Sequence, residues 1–202
     1  MNTFRYIVAL VVLISLPPGL LLWFCIHPFA DFWRKFGPVW TYTLLGIPMI
    51  GVMVAIFLMR HSLLAIDFGT NYLLMALAVV CVLGSAILSR KRRRYLTFGI
   101  LVGLPELSQE QYPGTLLTEG IYATIRHPRY VEVFLAALAY AFTANYLAPY
   151  LLALVTVPAL YLIVVLEERE LKKRFGEAYE DYGRRVPRFI PRTIRSDPDP
   201  AR

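Results

Sequence analysis

Two cysteines and three histidines are all that 202 residues supply. Cys25 and Cys81 each sit inside an apolar run, without metal-ligand spacing. That excludes a thiolate metal centre and a disulfide scaffold. Charge is scarce too, at 17%, and acids are fewer than bases, 14 against 21. The net charge of +7 is not gathered on a soluble basic face, so nucleic acid is not an expected partner. It reads instead as membrane topology and contact with anionic lipid. The chain has no small-x-small cleavage site after its first apolar run, which starts at Tyr6 and is broken by Pro17-Pro18. Bulky Trp23 and Phe24 before Cys25 exclude a lipoprotein signal, so the segment is expected to be retained. No shift in composition marks a separate soluble domain.

What is abundant is apolar. The chain is 57% hydrophobic with a mean hydropathy of +0.54, where soluble domains run about 45–50% apolar. The excess falls in runs near the roughly 20 residues that cross a bilayer as a helix. The pattern predicts an all-α, polytopic transmembrane helix bundle with about five spans. The first is Tyr6–Ile26, kinked at Pro17-Pro18, and the second is Val39–Met59. The third is Asn71–Ser89, where Ala76, Ala78, Gly84, Ser85 and Ala86 favour close helix packing. Tyr130–Ala144 and Tyr150–Leu166 form a last hairpin, and Glu167–Tyr182 continues it as an amphipathic helix. Thr97–Leu104 is too short to span and is expected to lie at the interface; Pro105–Pro113 is polar and turn-rich.

The run Arg90-Lys91-Arg92-Arg93-Arg94 marks the cytoplasmic side. It predicts an outside N-terminus and a cytoplasmic C-terminus in an inner or plasma membrane. Three regions follow: 1–95 with three spans, 96–195 with the last hairpin and C-terminal helix, and a disordered tail at 196–202. The basic segment Arg184–Arg195, with Phe189 and Ile190 between arginines, predicts a surface anchor to anionic membrane lipids.

Three sets of residues are candidates for chemistry. Arg126, His127 and Arg129 crowd the start of a span beside Tyr122 and Tyr130, with Pro128 suited to a first helical turn. Arginine and unpaired helix N–H groups there suit a carboxylate or phosphate. Glu167-Glu168 lies at the far end of the hairpin, so both clusters return to one level. A ligand carrying both ammonium and carboxylate would fit between them. Glu168 also lies four residues before Lys172, a routine helix-surface pair. Glu132, just inside a span, is a functional candidate by default; Arg129 on the same helix is its alternative partner.

Gly114 to Tyr122, Arg126-His127-Pro128-Arg129-Tyr130, Glu167-Glu168, Phe175 to Tyr182 and Val186-Pro187-Arg188 together resemble the isoprenylcysteine carboxyl methyltransferase family. Membrane phospholipid methyltransferases are among its relatives. The likeness covers about Gly114 to Pro191. It implies an integral membrane methyltransferase that uses S-adenosylmethionine on a lipidic or membrane-embedded small acceptor. It implies a cytoplasmic cofactor pocket closed by the last hairpin and the C-terminal helix. By position it implies that Thr115, Leu116, Leu117, Tyr122, Arg126, His127, Pro128, Tyr130, Glu167 and Glu168 bind the cofactor, with no metal. Glu167 or Glu132 would act as catalytic base for an amine; a carboxylate would need none. Two positions differ: the family often has histidine at the place of Gly114, and isoprenylcysteine enzymes have arginine at that of Ile163. The competing expectations are an NADPH-dependent reductase of lipids or sterols, and a non-catalytic membrane scaffold. No arginine set stands out for a second phosphate-rich cofactor.

Overall fold

A computed structural model describes residues 2–95 and 115–191. Six longer helices organise it: α1 Asn2–Ile26, α2 Gly37–Leu58, α3 Tyr72–Arg93, α4 Pro128–Ala144, α5 Leu147–Phe175 and α6 Glu177–Arg185. No strand occurs among the described residues. The expectations for Thr97–Leu104, Pro105–Pro113, Gly114 and the tail after residue 191 lie outside the described residues.

Four segments are long and apolar enough to cross a membrane: Asn2–Trp33, Gly37–Leu58, Tyr72–Arg93 and Leu147–Phe175. The 17-residue α4 is shorter. At 1.5 Å per residue it reaches about 26 Å, a little under a hydrocarbon core of roughly 30 Å. Large apolar side chains face outward along α2, including Val39, Trp40, Ile47, Ile50 and Leu58. A bilayer, not water, suits such a surface.

Several helices run past their expected ends. α1 continues through Pro17 and Pro18 as one helix. α3 carries its helix into the basic run as far as Arg93. Asn71 caps it, its side chain accepting from the backbone N–H of Leu73 and Leu74. α5 passes through Glu167-Glu168 without a break, but the helix expected to reach Tyr182 stops at Phe175. Gly176 adopts φ +54° and ψ −130°, a conformation open to glycine and costly for other residues, and it redirects the chain into α6.

Helices α3 and α4 approach closely. A Cβ on Gly84 would sit 3.2 Å from Leu135 Cδ1, and Ser85 Oγ donates to the Glu132 carbonyl at 3.2 Å. Ala78 is buried in this face, whereas Ala76 and Ala86 point outward.

The two ends of the bundle differ. At one end Arg5, 1% exposed, pairs with Asp67 and donates from Nε to the Ala144 carbonyl at 3.0 Å. Asn145, left-handed at φ +54°, donates to the Gly69 carbonyl and accepts from the Tyr150 hydroxyl, both at 2.8 Å. Asp67→Asn removes the charge opposing a buried guanidinium. It is expected to cost about 1–3 kcal/mol, read as a lower thermal midpoint of the purified protein. The opposite end carries the candidate site.

Candidate functional site

The site begins with a short turn, Gly120–Ala123, that positions Tyr122. Gly120 has φ +58°, and a Cβ there would collide with the Tyr95 ring and hydroxyl. Gly120→Ala therefore meets both backbone strain and a clash, and a loss of about 1–3 kcal/mol is expected in thermal unfolding. The Tyr182 hydroxyl of α6 donates to the Tyr122 carbonyl at 2.7 Å, fastening the turn to the C-terminal helix.

Next comes the start of α4. Pro128 occupies its first turn, and His127 stands just before it without a side-chain hydrogen bond to the helix end. The backbone here is tied to the segment after α6. Arg126 N–H donates to the Pro187 carbonyl at 2.8 Å, and His127 N–H to the Arg188 carbonyl at 3.0 Å. Phe189 lies 6.2 Å from the His127 ring, centroid to centroid. The stretch Val186–Phe189 thus packs into the site, correcting the expectation that this part of the tail serves as a lipid anchor. A basic composition alone does not distinguish a lipid anchor from a guanidinium that pairs inward.

Glu168 is the hub. It is 5% exposed and meets three side chains from two segments. Arg188 Nη2 reaches its Oε2 at 2.6 Å, while Arg126 Nη1 and His127 Nε2 each lie 3.1 Å from Oε1. Lys172 reaches Glu180 at 3.8 Å, so the expected pairing of Glu168 with Lys172 is replaced by this buried set. His127 Nδ1 lies 3.6 Å from Glu167 Oε2, longer than a hydrogen bond. Burial pushes the His127 pKa down, but the two carboxylates outweigh it and hold it above the ordinary 6.5. Protonated His127 therefore stabilises the fold fully below pH about 6.5, and this contribution is lost as pH rises through the higher folded value. The thermal midpoint is expected to fall as pH rises above about 6.5. His127→Gln should flatten that slope in a pH series of melting curves.

One cavity of about 190 Å³ gathers the candidates. Thr115, Leu116, Leu117, Tyr122, Arg126, His127, Pro128, Tyr130 and Glu167 all line it. Glu168 is not among the lining residues; it stands behind, fixing Arg126 and His127. Glu132 does not line it either. Arg92 holds its carboxylate, with Nε–Oε2 2.9 Å and Nη2–Oε1 3.2 Å, tying α3 to α4. The expected alternative partner, Arg129, lies instead over the Trp23 ring at 4.5 Å.

Sequence reasoning missed Trp23, His27, Tyr95 and Arg174, which also line the cavity. One signal was present: His27-Pro28, at the end of an apolar run, repeats the dipeptide His127-Pro128.

The lining has mixed chemistry. Arg126 Nε and Glu167 Oε2 are buried without hydrogen-bond partners. One is a donor and the other an acceptor, so a ligand that reached them would need the complementary groups. Tyr122, Phe175, Tyr179 and Tyr182 supply aromatic surface. The set fits a small molecule that carries a carboxylate, a cationic group and a flat ring.

Residues 72–178, more than half of the chain, match the sequence profile of phospholipid methyltransferase. The chain belongs to the phospholipid methyltransferase family. Two curated relatives agree with that membership. Over 77 residues the chain is 39% identical to the protein-S-isoprenylcysteine O-methyltransferase of Schizosaccharomyces pombe, covering 38% of this chain and 33% of that protein. Over 76 residues it is 40% identical to methanethiol S-methyltransferase 2 of Bradyrhizobium diazoefficiens, covering 37% and 28%. The chain thus matches about a third or less of the length of these relatives. No solved structure matches it. Within this family member the profile spans α3 to the start of α6, and leaves α1, α2 and the Val186–Phe189 segment outside.

Proposed function

We propose that this family member is an integral membrane methyltransferase that uses S-adenosylmethionine on a lipidic or membrane-embedded small acceptor. The observation that supports it most is the cavity at the start of α4. It brings Thr115–Leu117, the Tyr122 turn, the His127 helix start and Glu167 together from separate parts of the chain. Bound there, S-adenosylmethionine would supply an electrophilic methyl group on a sulfonium.

The chain's own residues would bind and orient. Arg126, with Nε uncommitted, would hold the carboxylate through charge-assisted hydrogen bonds. Glu167 Oε2 would accept from the ammonium. Glu168, through Arg126 and His127, would keep both in place. Such positioning is worth up to roughly 7–11 kcal/mol of a barrier. With Arg92 on its carboxylate, Glu132 would serve as a brace between α3 and α4 rather than as a base. The basic run beside the site supports a cytoplasmic placement of the cavity. Calorimetric titration of purified protein tests this reading. S-adenosylhomocysteine is expected to bind; binding of NADPH alone, or of neither, would overturn it.

A further inference from the structure

His27 follows the first membrane helix and lines the same cavity as Glu167 and His127. It is 5% exposed, and neither ring nitrogen has a hydrogen-bond partner. A buried polar group left so costs about 1–3 kcal/mol. Trp23 stacks on its face, with ring centroids 4.9 Å apart and planes 20° apart. Arg129 lies over the Trp23 ring in turn. The stack fixes the imidazole through its face and engages neither nitrogen.

His127 offers the contrast. Its two nitrogens each face a carboxylate, Glu167 and Glu168. Two histidines therefore wall the cavity, one hydrogen-bonded to a carboxylate and one with neither nitrogen engaged. The uncommitted one comes from outside the stretch that matches the family profile. The charged and titratable groups around it are Glu167 and Glu170 on α5, Arg129 at the start of α4, and His127.

We propose that His27 is the proton-accepting group for an acceptor whose nucleophilic atom carries a proton, a thiol or a neutral amine. The inference rests on the methyltransferase reading above. In the step, the acceptor's S–H or N–H bond breaks and its proton passes to a His27 ring nitrogen. The acceptor's electron pair forms the new bond to the methyl carbon. The old bond to that carbon breaks, and its pair stays on the donor's sulfur, which leaves neutral. A carboxylate acceptor has no proton to lose and would gain nothing from this imidazole.

The test uses the full chain in lipid nanodiscs, as wild type, His27→Gln and His27→Phe. Three probes are compared: dodecanethiol, monomethylphosphatidylethanolamine and N-acetyl-S-farnesylcysteine. Turnover of the thiol or the amine is expected in the wild type, and whichever reacts names the source. Both variants should lower that turnover about 100-fold and abolish the acid limb of its pH profile. Their affinity for S-adenosylhomocysteine should stay within about threefold of wild type. A second readout needs no methyl donor. The protein has three histidines, so in ¹⁵N-histidine-labelled protein the reactive probe should shift the resonance that His27→Gln deletes. Unchanged turnover and pH limb, loss of S-adenosylhomocysteine binding in the variants, methylation of the carboxylate probe alone, or no shift with any probe would each overturn the proposal. Failure of the wild type to bind S-adenosylhomocysteine would instead sink the methyltransferase reading.

Discussion

Glu168→Ala is expected to destabilise the protein by about 3–5 kcal/mol, because it leaves buried cations without their shared carboxylate. Arg126, His127 and Arg188 would then face one another around an empty position. The Arg188 contact also holds the chain after α6 against the start of α4, alongside two backbone hydrogen bonds. At about 2–4 °C per kcal/mol for a chain of this size, the thermal midpoint should drop by at least about 6 °C. Limited proteolysis beyond α6 should quicken in parallel. Arg188→Ala should cost less, since its side chain is 35% exposed. A midpoint within about 2 °C of wild type for Glu168→Ala would remove Glu168 from the centre of this end of the fold.

His127→Ala has the largest expected effect on binding. It leaves Glu167 and Glu168 without the imidazole between them. Glu167 on the cavity wall and Glu168 behind it then lack the cation between them, and one of them is driven to take up a proton. Affinity for S-adenosylhomocysteine should weaken about 30-fold, equivalent to about 2 kcal/mol. Glu167→Ala should act in the same direction through loss of the acceptor for the ammonium. Titration calorimetry on folded variants decides it: unchanged affinity in both would take these side chains out of the ligand's reach.

The helices were largely legible because membrane spans obey a length rule that a hydropathy run exposes directly. The hairpin geometry was legible too, which is why His127 and Glu167 were expected at one level. What escaped was pairing across helices. Glu132 has Arg129 on its own helix in sequence, yet its partner is Arg92, 40 positions earlier. Arg92 itself lay inside a run that reads as a topology signal, and nothing in such a run says that one member turns inward. Glu168 shows the same limit: Lys172 is its helical neighbour, but the fold brings it the largely buried guanidinium of Arg126 and the half-buried one of Arg188. The stop at Gly176 was hidden by a helical pattern of apolar residues that continues across it. The wall formed by Trp23 and His27 was masked because Trp23 belongs to a run that reads simply as a membrane span and His27 opens the loop after it.

The ties among Arg5, Asp67, Asn145 and Tyr150 give the bundle a pinned end. They join α1, the loop before α3 and the α4–α5 turn through side chains that grip backbone carbonyls. Separating α1 from the α4–α5 pair at that end would break several bonds at once. At the cavity end, the stack of His27, Trp23 and Arg129 joins α1 to the start of α4, and Arg34 pairs with Glu170 of α5. Both ends thus tie the N-terminal part of the chain to the last hairpin through a guanidinium, Arg5 at one end and Arg34 at the other.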